Sequence, residues 1–218
     1  MKTTLLVPTL SRFDLLNRLL QSAESQKIDD YIIIDNSNGL LELENKNVIT
    51  THNIGVAGSW NIGLREYSEQ PDRLLIICND DNVLQPNAVQ ELTALATANS
   101  EHGFYASRGG GFSFFALVPY IAVKTVGYFD EGFYPAYFED NDYHYRMKLA
   151  GVDFICSEHD LYELGVNGQG SQTINSNMTK EQDKVSIRLG YEANHMRYKA
   201  KWGGETGQET YTTPFNLR

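Results

Sequence analysis

The chain is poor in cysteine, in positive charge and in long apolar runs, and each shortage excludes a class of protein. Its 218 residues hold only two cysteines, Cys78 and Cys156. Each lies in an apolar, strand-like run without metal-type spacing, so both are expected as buried free thiols rather than a disulfide or a thiolate metal site. Lys and Arg number 18 against 28 Asp and Glu, a formal net charge of -10, which argues against a broad basic surface for nucleic acid. No stretch approaches the ~18 consecutive apolar residues of a membrane span. The opening run Leu5-Leu6-Val7 is too short for a signal peptide, and Arg12 and Asp14 follow at once, so a cytoplasmic protein is expected. What remains, 41% hydrophobic and 21% charged residues, suits one soluble domain with a sizeable core.

The first half alternates short apolar runs with amphipathic segments. Thr3 to Val7, Tyr31 to Ile34, Asn47 to Thr51 and Leu74 to Cys78 read as strands. Helices are expected over Phe13–Ser25, from about Ser59 to Ser68, and after Pro86 with Val89, Leu92, Leu95 and Ala96 inward. This alternation predicts βαβ units and a mainly parallel sheet in an α/β fold. In the second half, Gly109-Gly110-Gly111 breaks the pattern before a strand-like Phe112 to Leu117. A helix from about Asp140 to Ala150 ends at Gly151, Val152 to Cys156 reads as a strand, and Gly165 to Thr179 as a polar, Gly-rich mobile loop. Lys180 to Lys201 is helical in pattern.

Leu74-Leu75-Ile76-Ile77-Cys78 has no polar alternation, as expected of a strand buried on both faces. It runs into Asn79-Asp80-Asp81-Asn82, and the carboxyl ends of such strands form the ligand crevice of open α/β sheets. Two adjacent carboxylates there call for a cation or polar ligand between them, although the same four residues also read as a polar turn. A second acidic cluster is Glu139-Asp140-Asn141-Asp142, with Arg146 one helical turn beyond Asp142. Glu139 suits a helix cap. Asp140 stands among Phe133, Tyr134, Tyr137 and Phe138, where burial raises a carboxylate pKa and the helix end lowers it.

Together these blocks resemble glycosyltransferase family 2. They are Val7-Pro8-Thr9, Asp35 closing an Ile-rich strand, the Asn53-x-Gly55-x-x-Gly58-x-x-Asn61-x-Gly63 segment, Asn79-Asp80-Asp81, Gly127-x-Phe129-Asp130-Glu131 and Glu139-Asp140-x-Asp142-x-x-x-Arg146. The resemblance covers about residues 3 to 172, with every block in the family's order. It implies the GT-A fold, a Rossmann-like three-layer sandwich, in a single domain. Residues 1–107 would form the nucleotide-binding half and 108–179 the donor-sugar and acceptor half. The C-terminal helix and tail would span 180–218.

The implied activity is inverting, metal-dependent transfer of a sugar, hexosyltransferase-type, from a nucleotide-sugar (a UDP-sugar foremost) to a glycan or other hydroxyl-bearing acceptor. By the same resemblance Asp81 is a ligand for Mn²⁺ or Mg²⁺, with Glu163 standing where relatives carry a histidine ligand. Donor contacts are expected from Pro8, Thr9, Asp35, Asn53, Asn61, Asn79, Asp80, Gly111, Phe112, Ser113, Glu139 and Trp202. Asn61 could equally cap a turn or helix, and Trp202 could equally anchor the last helix. Asp140 would be the general base, facing Asp81 across one sugar-sized cavity. A sugar-nucleotide nucleotidyltransferase or a non-catalytic carbohydrate- or nucleotide-binding paralogue are the alternatives. The first usually carries a Gly-rich signature that Pro8-Thr9-Leu10-Ser11-Arg12 lacks, and the second would not need Asp81 and Asp140 together.

Overall fold

The structure is a computed structural model that describes residues 1–39, 41, 43, 46–165 and 181–217. In chain order the elements are β1 (Lys2–Thr9), α1 (Phe13–Ala23), β2 (Asp30–Asp35), β3 (Asn47–Thr50), α2 (Gly55–Tyr67), β4 (Arg73–Cys78), β5 (Asn82–Leu84) and α3 (Ala88–Ala98). There follow β6 (Phe104–Ala106), β7 (Phe114–Leu117), α4 (Pro119–Thr125), α5 (Glu139–Leu149), β8 (Ile155–Cys156), β9 (Tyr162–Leu164), α6 (Glu181–Trp202) and a short 3₁₀ turn at Pro214–Asn216.

Seven strands form one sheet in the order β3-β2-β1-β4-β7-β6-β8. β1 pairs in parallel with β2 and β4, with Leu5 opposite both Tyr31 and Ile76. β7 runs antiparallel to β4 and to β6, and β8 is parallel to β6. The sheet is therefore mixed but mainly parallel, as the alternation predicts.

The unbroken apolar strands are explained by packing on both faces. From β4, Leu74, Ile76 and Cys78 join Leu16, Leu19, Val89 and Leu92 of α1 and α3 in one core. Leu75 and Ile77 point the other way, into a core with Trp60 and Leu64 of α2 and Tyr143 and Met147 of α5. With a period of two, each strand feeds both layers.

Several local expectations change. α2 starts at Gly55 rather than Ser59, and of the residues expected inward on α3, Leu95 is only half-buried. The strands expected over 112–117 and 152–156 shrink to β7 and β8, while β5, β6, β9 and α4 are additional. These are short elements, below the length at which periodicity speaks. Cys78 is a buried free thiol, but Cys156 is exposed, because β8 is the edge strand. The loop expected over 165–179 lies, beyond Gly165, outside the described residues.

α6 docks through one face, at Ile187, Gly190, Asn194, Tyr198 and Trp202, spaced at helical intervals. A Cβ on Gly190 would stand 2.4 Å from the Pro135 ring and 3.0 Å from the Tyr134 carbonyl oxygen, so only a bare backbone lets the helix approach this closely. Lys201 is buried and bridges two carboxylates, Asp130 at 2.8 Å and Asp142 at 2.5 Å. Asp142 is fully buried and also accepts from the Trp202 indole N–H at 2.8 Å and from Arg146 Nε at 2.9 Å.

Burial pushes the Asp130 carboxyl up, but hydrogen bonds from Lys201, the Gly132 N–H and Arg197, with the Lys201 charge, outweigh it and hold the group down at about 2. A depressed folded-state value stabilises above the ordinary carboxylate pKa and is lost as pH falls through the folded one. Asp130 is therefore expected to support α6 fully above pH ~4 and to release it between pH 4 and 2. Asp130→Asn should flatten that limb and cost about 1–2 kcal/mol at neutral pH, discounted for partial exposure. Thermal unfolding of both proteins between pH 2 and 7 checks this, and parallel acid limbs would refute it.

Candidate active site

At the carboxyl ends of β1 and β4 lies a cavity of about 250 Å³, walled by several distant parts of the chain. β1 and the turn after it supply Pro8, Thr9 and Arg12, the end of β4 supplies Asn79 and Asp80, and the segment before β7 supplies Phe112 and Ser113. Glu139 and Asp140 close it from the first turn of α5, and Ile187 reaches in from α6.

Asp80 is fully buried and held by the Thr9 hydroxyl at 2.8 Å and by Arg12, whose Nε lies 3.1 Å away and whose terminal nitrogen pairs with the second carboxylate oxygen. Burial pushes its pKa up to about 6, against the pull of the Arg12 charge and with a smaller upward push from Asp81. Asp140 is also raised, by burial, and is restrained by hydrogen bonds from backbone N–H groups, the Asn141 N–H at 2.7 Å among them, and by the His144 charge. Glu139 is raised well above the carboxylate range by burial and by the charge of Asp140.

Among the described residues, three that line the cavity carry a buried polar atom with no hydrogen-bond partner: a terminal nitrogen of Arg12, the indole N–H of Trp60 and Oε2 of Glu139. Buried polar groups are rarely left so, and three around one cavity mark it as built for a polar ligand.

The local backbone explains how α5 presents its acids here. Tyr137 and Phe138 both have positive φ, 76° and 71°, a region that bulky residues seldom adopt. The segment is held from two sides. The Asn194 side-chain N–H₂ of α6 donates to the carbonyls of Ala136 (2.9 Å) and Tyr137 (3.1 Å), and the Val56 N–H of α2 donates to Pro135 at 2.9 Å.

Of the residues expected to bind the donor, Pro8, Thr9, Asn53, Asn79, Asp80, Phe112, Ser113 and Glu139 line this cavity, together with Asp140. Others do not. Asp35 is fully buried and spends its carboxylate on the turn after β2, accepting from the Ser37 N–H and hydroxyl and the Leu41 N–H. Asn61 clamps the backbone N–H and C=O of Phe129, both at 2.9 Å, and Glu131 at 2.8 Å. Trp202 is buried against Tyr145 with its indole on Asp142, the placement of a helix anchor, and is not among the lining residues. Gly111 faces a neighbouring cavity.

Asp81 is buried but is not among the residues lining the cavity, which Asp80 and Asp140 both border. The Asp81 carbonyl accepts from the Gly165 N–H at 2.8 Å, beside the β5–β9 ribbon. Glu163, on β9, accepts from the Gln85 side chain at 2.9 Å. Among the described residues no group of three His, Cys, Asp or Glu could hold a metal ion by itself.

Arg12, Asn36, Trp60 and Ile187 are lining residues that the sequence reading missed. A signal existed for Arg12, the only cation directly after β1 and opposite an acidic strand end. None existed for Ile187, which arrives by tertiary docking.

Residues 4–134 match the family profile described as Glycosyl transferase family 2. A galactofuranosyl glycosyltransferase from Leishmania donovani is 34% identical over 108 residues, 45% of this chain and 25% of that protein, so the chain spans about a quarter of this relative's length. Among solved structures, S. aureus TarS 1-349 superposes with a TM-score of 0.57 at 12% identity, covering 93% of this chain and 74% of that one. The mannosyltransferase PcManGT from Pyrobaculum calidifontis, in complex with GDP-Man and Mn²⁺, gives 0.57 at 13% identity over 79% of this chain and 60% of that one. At such identities the likeness is one of fold.

Asn194→Ala is expected to release the 134–138 segment, lowering kcat by at least tenfold while leaving nucleotide affinity within threefold, since a misplaced acid costs rate rather than binding. Gly190→Ala should lower stability by about 1–3 kcal/mol through overpacking. Calorimetric nucleotide binding, turnover and thermal unfolding of both variants check this; unchanged kcat in Asn194→Ala would show that the clamp is not needed.

Proposed function

The chain belongs to glycosyltransferase family 2 and has its GT-A fold, and from that premise we propose that it transfers a sugar from a nucleoside diphosphate donor, a UDP-sugar first, to an acceptor hydroxyl with inversion. The observation that carries this reading is that Asp80 and Asp140, from the ends of distant elements, line one cavity whose orphan polar atoms await a polar ligand. Two solved neighbours support the donor class, since PcManGT was solved with GDP-Man and TarS 1-349 with UDP.

In this reading Pro8, Thr9 and Asn79 hold the nucleoside end. Asp80, neutralised by Arg12, holds the ribose, and Phe112, Ser113 and Glu139 hold the sugar. Asp140 takes the proton of the acceptor hydroxyl as that oxygen bonds to the anomeric carbon. The electron pair of the breaking bond leaves with the diphosphate, so the new bond forms on the opposite face. A buried base with a raised pKa suits this work, which is typically worth ~10²–10⁴-fold in rate.

A divalent cation fits the chemistry of this acidic strand end. Hard Mg²⁺ or Mn²⁺ needs only one or two carboxylates when substrate phosphates and water complete its shell. Asp81, outside the cavity lining but next to the lining Asp80 in the turn at the end of β4, would hold it with the diphosphate, and when bound it would neutralise charge on the leaving group.

Asp140→Asn is expected to lower transfer by at least 10²-fold while nucleotide affinity stays within threefold. Product mass spectrometry and calorimetry measure the two, and full activity would remove Asp140 from the role of base. In a thermal-shift panel, UDP or GDP should raise Tm only when Mn²⁺ is present, and Asp81→Ala should abolish that dependence. No response to any nucleotide would overturn the donor reading.

A further inference from the structure

Asp140 borders a second cavity as well. This one, of about 370 Å³, lies between the Gly109–Gly111 segment, the exposed side of α5 and the edge strand β8. Its aromatic wall is formed by Phe112 and Phe154, with ring centroids 5.1 Å apart, and His144 stacks on Phe154 at 6.5 Å and 30°. Asn141 and Asp153 supply polar groups at the rim. The three glycines all have positive φ, from 77° to 109°, so this wall is bare backbone, with peptide groups rather than side chains toward the cavity. Phe112 belongs to both cavities and divides them, so Asp140 stands at the junction.

We propose that this second cavity is the acceptor subsite, and that its acceptor is an uncharged carbohydrate rather than a phosphorylated one. The inference rests on the donor reading above, which fixes which side of Asp140 the nucleotide-sugar occupies. A base at the junction of two cavities can take a proton from a hydroxyl entering by one while the anomeric carbon is held in the other. An apolar ring wall facing a polar rim matches a sugar, which has one face of C–H groups and an edge of hydroxyls. The charge pattern rejects phosphate. Among the described residues Asp140 and Asp153 are the acids here, no lysine or arginine lines the cavity, and the single basic side chain, His144, is held by Asp153 at 3.4 Å. Like charges brought together in a half-buried site act against an anionic acceptor.

The test gives the enzyme a nucleotide-sugar that it hydrolyses slowly. Neutral methyl glycosides and trisaccharides are then added, each beside its 6-phosphate, and products are read by mass spectrometry. Transfer to at least one neutral sugar is expected, at least tenfold above its phosphorylated counterpart. Phe154→Ala should raise the acceptor KM at least tenfold and leave the donor KM within twofold. Cys156→Trp, a change at the exposed lip that fills the cavity, should abolish transfer while donor hydrolysis persists. Equal or better use of the phosphorylated sugars would overturn the assignment. So would wild-type transfer by both variants, or persistent donor hydrolysis with no neutral sugar accepted. Absence of any nucleotide binding is a different result, which removes the donor reading and this one with it.

Discussion

The site depends on one strained stretch of backbone. Tyr137 and Phe138 lie in the left-handed region immediately before α5, and only this bend aims Glu139 and Asp140 at the cavity. Two such residues store roughly 1–3 kcal/mol each. The surrounding structure offsets this with the Asn194 amide on two carbonyls, the Val56 N–H on a third, and the burial of Phe133 and Phe138 with Tyr198 and Trp202. Release of α6 would therefore reach the acids before it reached the sheet. The sheet's two cores are built from β1, β2 and β4 with α1, α2, α3 and α5, and do not include the cluster that α6 shares with Phe133 and Phe138.

Charge is balanced locally despite a net -10. Asp80 has Arg12, Asp142 has Arg146 and Lys201, and Asp130 has Lys201 and Arg197. These pairs are largely buried, where breaking one by removing a partner is costly because it strands the other charge. Asp140 and Glu139 differ. The cation nearest to Asp140 in effect is His144, and neither acid has an arginine or lysine partner among the ion pairs of the described residues. The fold thus leaves the two acids at the head of α5 without a lysine or arginine partner, while Asp80 keeps a raised proton affinity beside Arg12.

Much of the fold was legible because it follows from pattern. The unbroken apolar run of β4 announced burial on two faces, and Leu75 and Ile77 do point opposite to Leu74 and Ile76. The glycosyltransferase blocks located the acids at the strand end and at the head of α5. Individual hydrogen bonds were not legible. Asp35, Asn61 and Trp202 have the right chemistry to hold a nucleotide-sugar, but none lines the cavity; Asn61 and Trp202 are engaged by partners that only the fold brings near, and Asp35 by the turn directly after it. The exchange of Asp81 for Asp80 at the cavity wall has the same origin. Asp80 and Asp81 are the two central residues of a turn closed by the Asn82 N–H on the Asn79 carbonyl at 3.2 Å, and the sequence does not say which of them borders the cavity. Ile187 and Asn194 were beyond reach, since nothing local marks a helix residue that closes a site formed by distant segments.

The docking face of α6 also sets a rule for how this protein can vary. Gly190, Asn194, Tyr198 and Trp202 meet their partners because they recur once per helical turn. One residue inserted or deleted between them would rotate everything downstream by about 100° about the helix axis. The glycine notch and the tryptophan anchor would then lie on different sides. This stretch of helix can therefore exchange side chains on its outer surface but cannot change length, so its twelve-residue phase from Gly190 to Trp202 behaves as a fixed gauge for the bend it grips.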